Sequence, residues 1–288
     1  MDEAVRVVTA FEDVRRYLGA ARHASPDELG PLHRKHILEP QWQDCAAGGE
    51  LEEYAARAVC EPIRDLDALE ASLAQLEGSG VEGIAERAWA GAHAALPGPS
   101  TTIWVLPADP GNIFIRDFMR GVQATTAGAG KIWLHLSPPG DWRTLIPPAI
   151  AHEHHHSVWL HRHCHGADWK FLLNYLVFEG RACAFSRMLY GQARQPWTET
   201  LNPQQEAEVW QAMKPQLPSH SEQVMVKFMF GGVEGVPLLA GYTVGDRIVR
   251  AFLAGHPGLD VDTWTAMDAD ELLAASGYDG PPRDPQAR

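Results

Sequence analysis

The chain lacks the features that mark most membrane, secreted and nucleic-acid-binding proteins. No apolar run approaches the roughly 18 to 20 residues that a membrane-spanning helix needs. The first residues, Met1, Asp2 and Glu3, lack the basic start and apolar stretch of a signal peptide. Basic residues are scarce, with 24 Lys and Arg against 37 Asp and Glu and a net charge of −13, which argues against a surface that neutralises phosphate or anionic lipid. We therefore expect a cytoplasmic protein with no membrane or nucleic-acid partner.

Cysteine is also scarce. Four cysteines in 288 residues, with no CxxC pair, indicate reduced thiols and exclude a disulfide framework. The composition, 45% hydrophobic and 21% charged, is that of a globular protein with a sizeable core. Histidine is the abundant residue: 14 are present, and seven fall between residues 152 and 165. This cluster is the place to look for function.

The distribution of apolar residues predicts an α+β fold that is mainly helical. Helical periodicity appears over residues 11–21, 51–59 and 66–76. After the Pro-Gly-Pro sequence at 97–99, two short β-prone runs follow at 101–106 and 131–136, and two long helices are predicted over 144–163 and 168–190. We predict a helical N-terminal region at 1–98, a second domain at 99–279 and a disordered tail at 280–288.

The first of the two long helices contains an HExxH motif, formed by His152, Glu153 and His156. Residues four apart lie on one face of a helix, so both imidazoles can point at one metal ion. Glu153 lies about 100° round the helix, where its carboxylate can reach a water molecule at that ion. The motif therefore predicts a zinc site with a general base beside it.

A catalytic zinc ion usually has three protein ligands. The extended motif HExxHxxGxxH is excluded because the chain has Trp159 and Arg162 where that motif needs Gly and His. Glu179 on the second long helix is the better candidate, since it lies on the apolar side of that helix, where an ionised carboxylate needs a compensating charge. The alternative that Glu179 accepts an N–H hydrogen bond or pairs with Arg181 or Arg187 stays open.

The combination of motifs resembles the YjaZ-like family of predicted zinc-dependent proteases. The resemblance rests on HExxH, on the sequence EGRA at 179–182 and on the sequence GYTVG at 241–245, and it covers roughly residues 100 to 255. It implies a gluzincin-type site in a zincin-like fold, with a small mixed sheet over the active-site helix and a peptide substrate along an edge strand. One departure is Cys183, at a position where gluzincins commonly have Asp.

The resulting hypothesis is zinc-dependent hydrolysis of a peptide or protein substrate. His152, His156 and Glu179 would bind Zn²⁺, which activates a water molecule, and Glu153 would take its proton as general base. The family pattern suggests Tyr242 as the donor that stabilises the oxyanion, with His220 as second choice. The segment 122–136 would offer backbone groups to an extended peptide.

Two other functions fit the same residues. A metal-binding or metal-sensing protein would use the histidine-rich helix without turnover, holding several weakly bound ions along residues 152–165. A degenerate zincin scaffold that recruits a partner through its N-terminal helices is disfavoured by the intact Glu153. Peptide deformylase also uses HExxH, but its third ligand is an upstream cysteine that has no counterpart here. The sequence indicates no oligomeric state.

Overall fold

The computed structural model describes residues 4–45, 61–164, 171–191, 195–233 and 235–280. Helices dominate and a single small mixed sheet accompanies them within these residues, which confirms the prediction of a mainly helical α+β fold. The chain divides into two compact units, residues 1–161 and 162–288. The predicted division at residue 98 stays a prediction, as does the zincin-like character of the fold.

The first unit contains the sheet. Its strands are β1 Val5–Thr9, β2 Thr101–Pro107, β3 Val122–Thr126 and β4 Lys131–Leu136. Their order is β1-β2-β4-β3, with β1, β2 and β4 parallel and β3 antiparallel to β4. Every residue of β2 is buried, as expected for a central strand covered on both faces. Strand β3 lies at an edge of the sheet.

The described part of the first unit also contains α1 Phe11–Ala21, α2 Leu29–His33, α3 Glu39–Cys45, α4 Leu66–Leu76, α5 Val81–Ala95 and most of α6 Trp142–His163. A π-helical turn, Arg34–Leu38, joins α2 to α3. The core combines apolar residues of β2 and β4, such as Ile103 and Leu134, with the buried stripes of α1, α4 and α5. Near the start of helix α6, Leu145 and Ile146 pack against this core, and the histidines follow further along the helix.

The second unit is helical. Its helices are α7 Leu172–Tyr190, α8 Pro203–Met213, α9 Glu222–Met225, α10 Ala240–Gly255, α11 Val261–Ala266 and α12 Ala269–Ser276. Helices α7 and α10 are the most extensively packed pair. The amides of Leu172 and Leu173, at the start of α7, donate to the carbonyls of Ser219 and Leu217, which satisfies two donors that a helix N-terminus leaves open.

Several predictions about local structure were correct and three need correction, the first being that α6 begins at Trp142, two residues before its predicted start at 144. Helices α1 and α4 and strand β4 have the predicted bounds, and β2 extends one residue beyond its predicted run. The N-terminal region is not purely helical, because Val5–Thr9 pairs with β2 as a strand. Helix α7 begins at Leu172 and not at 168, since Phe171 is extended (φ −131°, ψ 161°).

Two further predictions lie outside the described residues: the helix at 51–59 and, beyond Gly280, the disordered tail. Within the described residues, no helix combines the length and apolarity needed to cross a bilayer.

Candidate metal centre

Helix α6 positions the two histidines of the HExxH motif. The Nε2 atoms of His152 and His156 lie 3.0 Å apart, and their rings are nearly perpendicular, at 89° with centroids 4.6 Å apart. Both side chains are 4% exposed. Their spacing of four residues places them one helical turn apart, so the same nitrogen of each ring points at one small volume.

A third ligand atom comes from Glu179. One oxygen of its carboxylate and one nitrogen of each histidine all lie within 4.8 Å of one another, and all three residues are buried. A tetrahedral zinc ion with bonds of about 2.0 to 2.2 Å places its ligand atoms about 3.3 to 3.6 Å apart. The two Nε2 atoms, 3.0 Å apart, are slightly closer than this, and all three ligand atoms lie within 4.8 Å of one another. With a small adjustment of the side chains, this group could hold a divalent metal.

Glu153, the next residue after His152, is buried on the same helix with 7% of its surface exposed. Its Oε2 atom accepts a hydrogen bond of 2.7 Å from the hydroxyl of Thr126, at the end of strand β3. The edge of the sheet therefore contacts the carboxylate that the motif predicts as general base. No prediction from the sequence had assigned Thr126.

The neighbouring histidine His154 has a structural role. Its Nε2 atom donates to the carbonyl of Leu96 at 2.8 Å, and its ring makes edge contacts with Trp89 and His93 on helix α5. A side chain at Gly98 would meet the ring of His154 and a methyl group of Val158, the latter at 2.4 Å. The loop before β2 thus packs closely on this face of α6, and His154 points away from the ligand face.

Both arginines that were considered as partners for Glu179 have partners of their own. The guanidinium of Arg187 donates to Asp246 on α10 at 2.7 Å. Arg181 is 3% exposed and donates to the carbonyl of Met267. Burial lowers the pKa of Arg181 to about 10, with Asp268 opposing the change, so the guanidinium stays charged at neutral pH. These contacts account for both guanidinium groups.

The pair formed by Asp246 and Arg187 joins helices α7 and α10. Asp246 is completely buried, and this burial raises the pKa of its carboxyl group above the usual value, although Arg187 opposes the shift. Breaking a buried pair leaves an uncompensated charge, which is strongly destabilising. The pair therefore helps to fix the helix that carries Glu179.

The glycines of the EGRA and GYTVG sequences allow α7 and α10 to approach closely. A Cβ atom on Gly180 would lie 2.2 Å from the carbonyl oxygen of Gly245, and one on Gly245 would lie 2.1 Å from that of Leu176. Within the second sequence, Thr243 donates to the carbonyl of Trp197 at 3.1 Å and accepts from the amide of Thr200 at 3.2 Å. The close approach of α7 and α10 therefore explains Gly180 and Gly245.

Replacing Gly180 by alanine is expected to destabilise the protein by about 3 kcal/mol, the upper range for overpacking a core, because the new methyl group would meet backbone on α10. The matched control is Gly255→Ala on α10, where nothing lies within 4 Å of the added Cβ. Alanine there should be neutral or stabilise by up to about 1 kcal/mol. Urea denaturation followed by circular dichroism measures both, and equal effects of the two replacements would contradict the packing account.

The structure also locates the remaining predicted residues. Cys183 is buried, and its sulfur accepts a hydrogen bond from the indole of Trp197 at 3.3 Å. Tyr242 lies in the first turn of α10, half-buried, with its ring 6.2 Å from that of Phe230. His220 is exposed, and its ring lies 5.6 Å from that of Phe171. The role of Tyr242 or His220 as oxyanion donor stays a prediction.

Comparison with known proteins gives two similarities. The model of a family described as predicted Zn-dependent protease (DUF2268) matches residues 81–274. The uncharacterized protein YjfC of Bacillus subtilis (strain 168) is 29% identical over 161 residues, which cover 51% of this chain and 52% of YjfC. The chain thus spans about half the length of this curated relative. No solved structure matches the chain.

Proposed function

The chain belongs to the DUF2268 family of predicted Zn-dependent proteases, and on that premise we propose that it is a zinc-dependent peptide hydrolase of the gluzincin type. His152, His156 and Glu179 are the proposed zinc ligands, and Glu153 is the proposed general base. Zinc is the cofactor that the family description names, and the buried group of two histidines and one glutamate is suited to bind it.

The convergence of three ligand atoms within 4.8 Å carries this proposal. Neutral imidazole and carboxylate are ligands that zinc prefers, and two histidines with one glutamate leave a fourth position for solvent or substrate. When bound, the ion supplies a Lewis acid that lowers the pKa of water and polarises a carbonyl group. The three residues would hold the cation, and the negative charge of Glu179 would offset part of its charge.

Glu153 performs the proton transfers in the proposed reaction. Its carboxylate takes a proton from the attacking water and then gives that proton to the nitrogen of the departing amine. The burial of Glu153 keeps bulk solvent away from this transfer. Tyr242 is the proposed oxyanion donor, because a phenol is a neutral hydrogen-bond donor at pH 7, and the ring of Phe230 packs beside it.

Strand β3 is the proposed binding edge for the peptide. Gly121 accepts from Ser137, and Ala127 donates to Lys131, so the odd-numbered residues of this segment pair with β4. In an antiparallel pair, the backbone N–H and C=O groups of successive residues point alternately toward and away from the neighbouring strand. Those of Ala124 and Thr126 therefore point away from β4, toward the open edge. An extended peptide that adds to this edge would pair with those two residues.

The proposal includes a peptide or protein as substrate and a cytoplasmic location. The scarcity of cysteine and the lack of a CxxC pair support the location, since cytoplasmic proteins keep their cysteines as reduced thiols.

Cleavage of a peptide library tests this function directly. The zinc-loaded protein is expected to release new peptide ends, identified by mass spectrometry, and the activity should disappear after chelation and return when zinc is restored. Cleavage that is insensitive to chelation would contradict the proposal. Tight binding of one zinc ion without cleavage of any library member would favour the metal-binding alternative.

A further inference from the structure

The contact between Thr126 and Glu153 joins the open edge of the sheet to the proposed base. The Thr126 hydroxyl lies 2.7 Å from Oε2 of Glu153 and 2.9 Å from the backbone carbonyl oxygen of the same residue. A threonine hydroxyl has a single hydrogen, so Oε2 and the backbone carbonyl oxygen of Glu153 compete for one donor. Oε2 is the nearer of the two oxygens and lies within hydrogen-bond distance of the hydroxyl.

A second hydrogen bond fixes the same hairpin on the helix. The amide of Gly130, in the turn between β3 and β4, donates to the hydroxyl of Ser157 at 2.6 Å. Glu153 and Ser157 are four residues apart on α6, so they lie on one face of the helix. The β3–β4 hairpin therefore runs along this face and is attached to it at two points.

The turn itself has little freedom. Gly130 has φ +71°, and a Cβ atom there would lie 2.3 Å from the carbonyl oxygen of Ser100. Lys131 donates to the carbonyl of Gly128 within the turn. A positive φ and close backbone contact both favour glycine at this point, and the turn thereby sets where Thr126 lies relative to α6.

We propose that Thr126 is a positioning residue, whose hydroxyl holds Oε2 of Glu153 and leaves Oε1 to exchange the proton during peptide hydrolysis. This inference rests on the proposed function. Thr126 is also one of the two β3 residues whose backbone groups face the open edge, so a peptide that pairs there contacts the residue that orients the base. Peptide binding at the edge and orientation of Glu153 are linked through this one residue.

The test compares Thr126→Val with Thr126→Ser and with Thr125→Val. Valine keeps the shape of threonine and its preference for strands but removes the hydroxyl, whereas serine keeps the hydroxyl. Thr125 precedes Thr126 on β3, so its side chain points to the opposite face of the sheet. The kcat and KM of each zinc-loaded variant are measured with a peptide that the wild-type protein cleaves, together with zinc content.

Thr126→Val is expected to lower kcat by about 10- to 100-fold, the effect of losing a hydrogen bond to a charged group, with KM and zinc content nearly unchanged. Thr126→Ser and Thr125→Val should stay within about threefold of wild type. Crystal structures of the metal-free proteins give a readout that does not depend on activity. The Glu153 carboxylate should keep its position in Thr126→Ser and move in Thr126→Val.

An unchanged kcat in Thr126→Val, in a protein whose cleavage still requires Glu153, would overturn the role of Thr126 and leave the proposed function intact. An equal loss of kcat in Thr126→Ser would also overturn it, because the hydroxyl would then not be the relevant group. If no peptide is cleaved by the wild-type protein, both the proposed function and this inference fail. A Glu153 carboxylate that stays in place in Thr126→Val would contradict the inference by itself.

Discussion

Zinc affinity is expected to fall by more than about 100-fold when His156 is replaced by glutamine, and the same loss is expected for His152→Gln and Glu179→Gln. Replacing residues that merely support a zinc ligand already costs about 10- to 100-fold, and the loss of one of three direct ligands removes more. Each replacement keeps a side chain of similar length in a buried position. Competition with a chromogenic zinc chelator measures the affinities.

The matched control for these variants is His161→Gln. His161 is exposed, two residues before the end of α6, and its replacement should leave both affinity and stoichiometry unchanged. Urea denaturation of the metal-free proteins shows whether each variant is folded. A small loss of affinity spread evenly over all these histidines would contradict a single site and favour a histidine-rich helix that binds several ions weakly.

Glu153→Gln is expected to lower kcat by about 100- to 10,000-fold, the range for removing a positioned general base, while the protein still binds one zinc ion. Glutamine keeps the shape of the side chain and can accept the hydrogen bond from Thr126 through its amide oxygen, but it cannot take up a proton. Hydrolysis of a library-derived peptide gives the rates, and elemental analysis gives the zinc content.

This variant separates the base from the ligands. A folded Glu153→Gln protein with full zinc content and wild-type kcat would exclude Glu153 as the base. A variant that lost zinc together with activity would place Glu153 among the ligands. The hydrogen bond between its carboxylate and Thr126 argues against that outcome.

Local sequence patterns were sufficient for much of the fold. Strand β4 was predicted because residues 131–136 form a short run of β-prone residues, and α1 because its apolar residues recur with helical spacing. Strand β1 was missed, since five residues carry a weak signal and their pairing partner, β2, lies about 95 residues later. Such a pairing depends on tertiary contacts that local patterns do not contain.

The candidate site was predictable where the helix period determined it. The spacing of His152 and His156, and the apolar surroundings of Glu179, were enough to propose the group whose ligand atoms lie within 4.8 Å. The resemblance to the YjaZ-like family was also confirmed by the matched family model. Thr126 was missed because its contact with Glu153 depends on the hairpin's position, although the β-branched residues of 122–126 could have indicated a strand there.

The most direct test of the zinc site is a crystal structure of the zinc-loaded protein with anomalous diffraction data at the zinc edge. We expect one ion per chain at about 2.0 to 2.2 Å from Nε2 of His152, Nε2 of His156 and one carboxylate oxygen of Glu179, with a fourth position open to solvent. An ion bound elsewhere on the histidine-rich helix, or one that Glu179 does not touch, would contradict this expectation.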